Sequence, residues 1–240
     1  MSIQSRRFGA TRVGGSRGGR LGLALLLSAG LVACSAPEEE PTTASPEDVV
    51  SASLPEAGEL DAGTYVVSRF GIPFEITVGE GWHSLDGWAL INGVAGEEGA
   101  FLTFLAPSSV PTDGCTWRGA LVDVDPSVDG FVAALAAQAS TATTPPQPIA
   151  VDGYAGVEVA INVEDDVVID ACSDNRVCVH SESRTDCSRW YARPTERETY
   201  RVMDLDGDRV VLTVGEFAPT SEALAEEAQA VFDSITFVSD

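Results

Sequence analysis

Hydrophobic and polar positions change their spacing along this chain, and the changes divide it into elements. Residues 21–33 are an apolar and small-residue run behind an arginine-rich start. Residues 35–60 show no apolar periodicity. Pro37, Glu38-Glu39-Glu40, Pro41, Pro46 and Pro55 sit there among Thr, Ser and Ala, the composition of a flexible tether. From Asp61 the pattern is that of a folded domain. Residues 64–70 and 72–78 are β-rich runs divided by Gly71, and Phe74, Ile76 and Val78 alternate with Glu75 and Thr77, which predicts a half-buried strand. Residues 100–106 and 117–124 predict further strands, and Trp82 and Trp88 flank a short polar turn.

Two segments keep helical spacing instead. Behind Pro126, Ser127 can cap a helix whose Val128, Phe131, Val132, Leu135, Ala136 and Ala139 form one apolar stripe. Behind Pro219, Thr220 or Ser221 opens a second, with Glu222, Glu226 and Glu227 early, where the helix dipole favours acids. Its stripe is Leu224, Ala228, Val231, Phe232 and Ile235, and residues 236–238 follow as a last short strand. Asp152-Gly153 and Asp206-Gly207-Asp208 should turn two hairpins, 148–151 with 154–163 and 199–205 with 209–217, because Asp-Gly readily supplies positive φ. These elements predict an α+β fold over residues 61–240, a single domain with an antiparallel sheet and two amphipathic helices packed on one face.

The start of the chain changes the picture of where this domain works. Arg6, Arg7, Arg12, Arg17 and Arg20 precede the apolar run, with no acid before Cys34, the layout of a signal peptide over residues 1–33. Its thirteen apolar and small residues would reach roughly 20 Å as helix, short of the ~30 Å bilayer core. Leu31-Val32-Ala33-Cys34 resembles the lipobox of bacterial lipoproteins. That resemblance implies cleavage before Cys34, a thioether-linked diacylglycerol on its sulfur and an acyl chain such as palmitate on the new amino terminus. The protein would then be lipid-anchored at the outer face of the cell membrane, with residues 34–60 as its leash. The alternative is an ordinary secretory signal cut elsewhere.

Removing that signal takes five of the fourteen basic residues and leaves nine, all Arg, against thirty-seven acids, a net charge of −28. Such a charge disfavours nucleic acid as a partner and repels anionic headgroups, so the domain should stand off the bilayer. Cys115, Cys172, Cys178 and Cys187 remain, an even count in an exported chain, which implies two disulfides with three possible connectivities. Cys115–Cys172 and Cys178–Cys187 are the favoured pairs, the second closing a short polar excursion. Their spacing fits no structural zinc site.

No residue set specifies a reaction, and neither a cofactor nor a metal site is expected. Gly14-Gly15-Ser16-Arg17-Gly18 matches a nucleophile elbow but lies inside the signal. His83 and His180 sit in no nucleophile or H-E-x-x-H setting. Glu164, Asp165, Asp166, Asp170 and Asp174 crowd one loop without the order of a calcium loop. The most suggestive stretch holds six of the nine remaining arginines, Arg176, Arg184, Arg189, Arg193, Arg197 and Arg201, with Trp190 and Tyr191 among them. Arg and aromatic residues dominate binding hot spots, so Arg189, Trp190, Tyr191 and Arg193 are candidates for an envelope protein or glycan partner. Internal pairing with nearby carboxylates is the plainer reading of the same arginines.

The string Asp113-Gly114-Cys115-Thr116-Trp117, then Pro126 to Gln138, Asp152-Gly153-Tyr154-Ala155-Gly156 and the later Cys172 resemble a family of uncharacterised actinobacterial exported proteins and lipoproteins. These share a Cys-x-Trp strand, one helix, a Gly-Tyr-x-Gly hairpin and a later Cys. The ending, an amphipathic helix into Asp233-Ser234-Ile235-Thr236-Phe237, is similar to LpqN-like and PsbP-like α+β domains. The first resemblance implies a Cys115–Cys172 pair and no catalytic residue; Cys178 and Cys187 depart from it. The expectation is a non-catalytic envelope protein with a binding or structural role. A carrier of lipid or glycolipid, with an apolar cavity between sheet and helices, is the second reading, and a hydrolase with an unfamiliar site the third.

Overall fold

The computed structural model describes residues 51–93, 98–217 and 220–238. The expected signal, Cys34 and the tether up to residue 50 lie outside the described residues. The chain opens with β1 (Ala52–Ser53), β2 (Gly58–Glu59), β3 (Gly63–Val67) and β4 (Phe74–Val78), then the meander β5 (Trp82–Leu85), β6 (Ala89–Gly93) and β7 (Gly99–Leu105). A short hairpin, β8 (Ser109–Pro111) and β9 (Leu121–Asp123), leads into α1 (Val128–Ala137). After it come β10 (Thr141–Thr143), β11 (Gln147–Val151) and β12 (Tyr154–Val163), then two 3₁₀ turns and a second short hairpin, β13 (Val177–His180) with β14 (Arg189–Tyr191). The long hairpin β15 (Arg197–Leu205) and β16 (Asp208–Phe217), α2 (Glu222–Asp233) and β17 (Thr236–Phe237) complete the order.

Nine strands form one antiparallel sheet in the order β10-β12-β15-β16-β7-β6-β5-β2, with β11 also on β12. A second sheet, β1-β3-β4-β17, lies beside it. Both Asp-Gly hairpins form where the sequence places them. Val151 pairs with Tyr154 and Leu205 with Asp208, and Asp152 and Asp206 carry φ of 48° and 57°.

The centre of the large sheet is covered on both sides. Every residue of β7 is buried, and so are residues 210–215 of β16. Alternation along β15 sends Met203 and Leu205 to the front core, Tyr200 and Val202 to the back core. At the front, Phe74 and Phe237 of the small sheet and Val231 and Phe232 of α2 close over Leu102 and Phe104. The rings of Phe74 and Phe104 meet edge-on with centroids 5.0 Å apart, and the Trp82 indole donates to Glu227 of α2 at 2.9 Å. At the back, Phe131, Val132 and Leu135 of α1 cover Val159, Ile161 and Val211.

The α+β expectation is therefore corrected, and the PsbP-like arrangement falls with it. Strand takes 47% and helix 15% of the described residues, and the two helices have only 10 and 12 residues. They lie on opposite faces of the large sheet rather than together. The physical reason is the double burial of β7 and β16, whose apolar side chains need cover on each side. The caps are as the sequence predicts: Ser127 accepts from Gly130 N at 3.1 Å and Ser221 from Leu224 N at 3.4 Å. Residues 51–60, the end of the expected tether, carry β1 and β2, and Leu60 is 3% exposed. No described helix is long and apolar enough to cross a membrane.

Candidate ligand cleft

Towards β5 the back of the large sheet is not filled by α1. The β13–β14 hairpin and the loop after it stand over that floor instead, and a cleft of about 340 Å³ remains between them. Its floor is Leu85, Trp88, Ile91, Phe101 and Phe217; its wall holds Arg189, Trp190, Arg193 and Glu196.

The wall is held in place from several directions. Disulfides join Cys115 to Cys172 and Cys178 to Cys187, the pairs favoured from the sequence. The second ties β13 to the segment that enters β14. Within the β13–β14 turn the Ser181 hydroxyl donates to Asp186 O at 2.5 Å and accepts from Ser183 N at 3.0 Å, side-chain bonds that replace a regular turn. The buried Gln138 amide at the end of α1 donates to Pro111, Cys178 and Val179 carbonyls at 3.0–3.2 Å, so helix, hairpin and β8 share one clamp. Outside, Arg176 lies over both Trp117 and Trp190, 5.5 and 4.6 Å from the ring centroids. Trp190 thus has a cation on one side and borders the cleft.

Beneath the wall lies a buried polar group of residues. Glu198 has a fully buried side chain, forms an ion pair with Arg189 and accepts from the Tyr200 hydroxyl. The Arg189 guanidinium sits 4.5 Å above the Phe101 ring and donates through Nη1 to Trp190 O at 2.7 Å. Gly215 makes this possible: a Cβ there would come within 2.3 Å of the Phe101 ring and 2.7 Å of Glu198 Cγ. Among the described residues, Arg189 Nε and the hydroxyls of Thr103 and Thr213 find no hydrogen-bond partner. Burial pushes the Glu196 carboxyl above its usual range and the Tyr200 hydroxyl well above its own.

Of the predicted binding residues, Arg189, Trp190 and Arg193 line the cleft. Tyr191 does not: it is buried, and its hydroxyl donates to Ile161 O at 3.1 Å. The six arginines do not make a free cationic island. Arg176, Arg184, Arg189 and Arg201 each pair with a carboxylate, and Arg201 lies on the front face over Phe232. Asp174 of the acidic loop pairs with Arg118 at 2.6 Å and Arg176 at 3.6 Å. The floor residues Leu85, Trp88 and Ile91 were missed; the signal was available in Asp86-Gly87, a third Asp-Gly turn, with φ of 47° and 63°. A smaller hollow of about 210 Å³ lies between α2 and β15–β16, lined in part by Arg197, Glu216 and Gln229.

Neither histidine lines the cleft. His83 is exposed, with Nδ1 3.2 Å from Gly81 O. His180 is fully buried edge-on between Phe131 and Tyr200, both ring nitrogens without partners. Burial, with Arg189 and Arg209 adding repulsion, pushes its pKa down to about 3. The folded chain thus keeps the ring neutral where the unfolded chain, with an ordinary value near 6.5, would bind a proton. Its stabilising share is whole above about 6.5 and is lost as pH falls towards 3. From pH 7 to 5 this ring alone should cost about 2 kcal/mol. His180→Phe keeps both ring contacts and should remove that part of the acid loss in paired urea titrations; an undiminished loss would refute the assignment. No family model, curated protein or solved structure matches this chain.

Proposed function

We propose that the chain is an exported, lipid-anchored envelope protein that binds a small ligand without transforming it, in the cleft between β5–β7 and the β13–β14 hairpin. The observation that carries this reading is the cleft itself: about 340 Å³ over an apolar floor, with arginines and a tryptophan in its wall. Ligand sites run from roughly 300 to 1,000 Å³ and are mostly apolar with a few placed polar groups, so this one suits a compact ligand. The resemblance to actinobacterial exported proteins, which offer no catalytic residue, agrees with a binding role. Cys34 would carry the anchor.

Protein extracted from an envelope fraction tests both halves. Its intact mass should correspond to a mature chain beginning at diacylglyceryl-modified Cys34. The same preparation should enhance the fluorescence of the neutral probe N-phenyl-1-naphthylamine, saturating near one equivalent. Leu85 and Trp190 are exposed, so Leu85→Ala with Trp190→Ala should leave the fold intact and weaken the probe at least tenfold. A start at another residue sinks the anchor; absent saturation, or binding indifferent to the double change, sinks the cleft.

A further inference from the structure

The cleft's inner wall says what kind of head group its ligand carries. Phe101 and Thr103 lie two apart on one face of β7, so their positions are about 6–7 Å apart along the strand. Arg189 covers the first, and the second lines the cleft with its hydroxyl buried. Two polar groups there are unmatched, Arg189 Nε and the hydroxyl of Thr103, which is 4% exposed. Arg189 spends Nη1 on Trp190 O and Nη2 on Glu198. Nε can only donate, and a hydroxyl without a partner can donate too, so both call for an oxygen acceptor. A guanidinium is best satisfied by an anionic oxygen.

Glu198 is committed to Arg189 and Tyr200. Burial raises the pKa of the Glu196 carboxyl, against the opposing pull of Arg189 and Arg193. Arg189 and Arg193 bring two guanidinium groups to the lining. The remaining lining is aromatic and aliphatic, and it opens at Leu85 and Trp190, both exposed at the surface. Polar demand lies inside and apolar surface runs outward.

We infer that the cleft takes a compact carboxylic acid, alkyl or aryl, with its carboxylate drawn in to the Thr103 hydroxyl and Arg189 Nε. Its body lies between the Ile91–Phe101 floor and Trp190. This inference rests on the cleft being the binding site, and the test separates the two.

The test is displacement of bound N-phenyl-1-naphthylamine by matched pairs, octanoate against 1-octanol and 2-naphthoate against 2-naphthol, on the full mature chain. The wild type should prefer an acid over its neutral partner at least tenfold; the better of the two pairs identifies the body. Thr103→Val keeps the shape and deletes a hydroxyl that has no partner to lose. It should reduce that preference to about twofold or less with the melting temperature unchanged, and Thr103→Ser should restore it. A probe that binds while alcohols compete as well as acids overturns the carboxylate and leaves the cleft standing. A preference for acids that survives Thr103→Val overturns the placement of the head. A wild type that does not bind the probe overturns both.

Discussion

Glu198→Ala is expected to destabilise the fold by about 3–5 kcal/mol, the range for a buried ion pair that loses one partner. The side chain removed is fully buried and serves two donors, the Arg189 guanidinium and the Tyr200 hydroxyl. Without it, a cation whose side chain is only 12% exposed keeps its charge among Phe101, Tyr191 and Trp190 and loses the carboxylate paired with it. Coulomb attraction does not make the pair a net asset, since both members were desolvated to form it. The loss comes from leaving one of them behind. Glu198→Leu combined with Arg189→Met should therefore cost markedly less than Glu198→Ala alone. Chemical denaturation measures both, and a double variant as unstable as the single one would contradict this account.

Breaking the longer disulfide is expected to cost about as much. Cys115 and Cys172 are 57 residues apart in sequence, and Cys178 and Cys187 only 9. Loop-closure entropy gives about 4 kcal/mol for the first and roughly 3 kcal/mol for the second. The first also fixes the turn carrying Trp117, whose indole donates to Ser173 O at 3.1 Å, one residue beyond Cys172. Cys115→Ser with Cys172→Ser should lower the denaturation midpoint more than Cys178→Ser with Cys187→Ser, measured under oxidising conditions. The reverse order would show that native contacts of the hairpin outweigh chain entropy here.

Much of the local structure was legible in the sequence, and the reasons are local. Asp152-Gly153 and Asp206-Gly207 supply the positive φ that a tight reversal needs, and Ser127 and Ser221 cap their helices by satisfying amides within three residues. The stripe Ala228, Val231 and Phe232 is buried as its spacing requires. What failed was the assignment of faces. An amphipathic stripe shows that a helix has a buried side, not which side of a sheet receives it. The clue lay in the strands: Val210-Val211-Leu212-Thr213-Val214 and Ala100-Phe101-Leu102-Thr103-Phe104 are too continuously apolar for a sheet wet on one side. The expected strand over residues 117–124 shrank to Leu121–Asp123 because Trp117 is spent on the Cys178–Cys187 cluster.

The candidate site was legible in part. Arg189, Trp190 and Arg193 were singled out as a cationic, aromatic stretch, and all three border the cleft. The other side of the cleft comes from residues about a hundred positions earlier, brought opposite by sheet pairing that no local pattern encodes. Glu198 could not be foreseen as the partner of Arg189 either, because alternation places it at the back only once β15 is paired between β12 and β16.

The way the chain enters the fold has a mechanical consequence. Ala52–Ser53 is zipped to β3 of the small sheet, and six residues on Gly58–Glu59 is zipped to β5 at the edge of the large one. Between them Glu56 O receives Gly87 N at 2.9 Å and Pro55 O receives the Ser84 hydroxyl at 2.6 Å, beside the turn that leads from Leu85 to Trp88. Were Cys34 to carry the proposed anchor, tension from that end would reach the lip of the cleft through this strap before the central strands felt it. In the anchored protein proposed above, height above the bilayer and access to the cleft would be coupled through one joint.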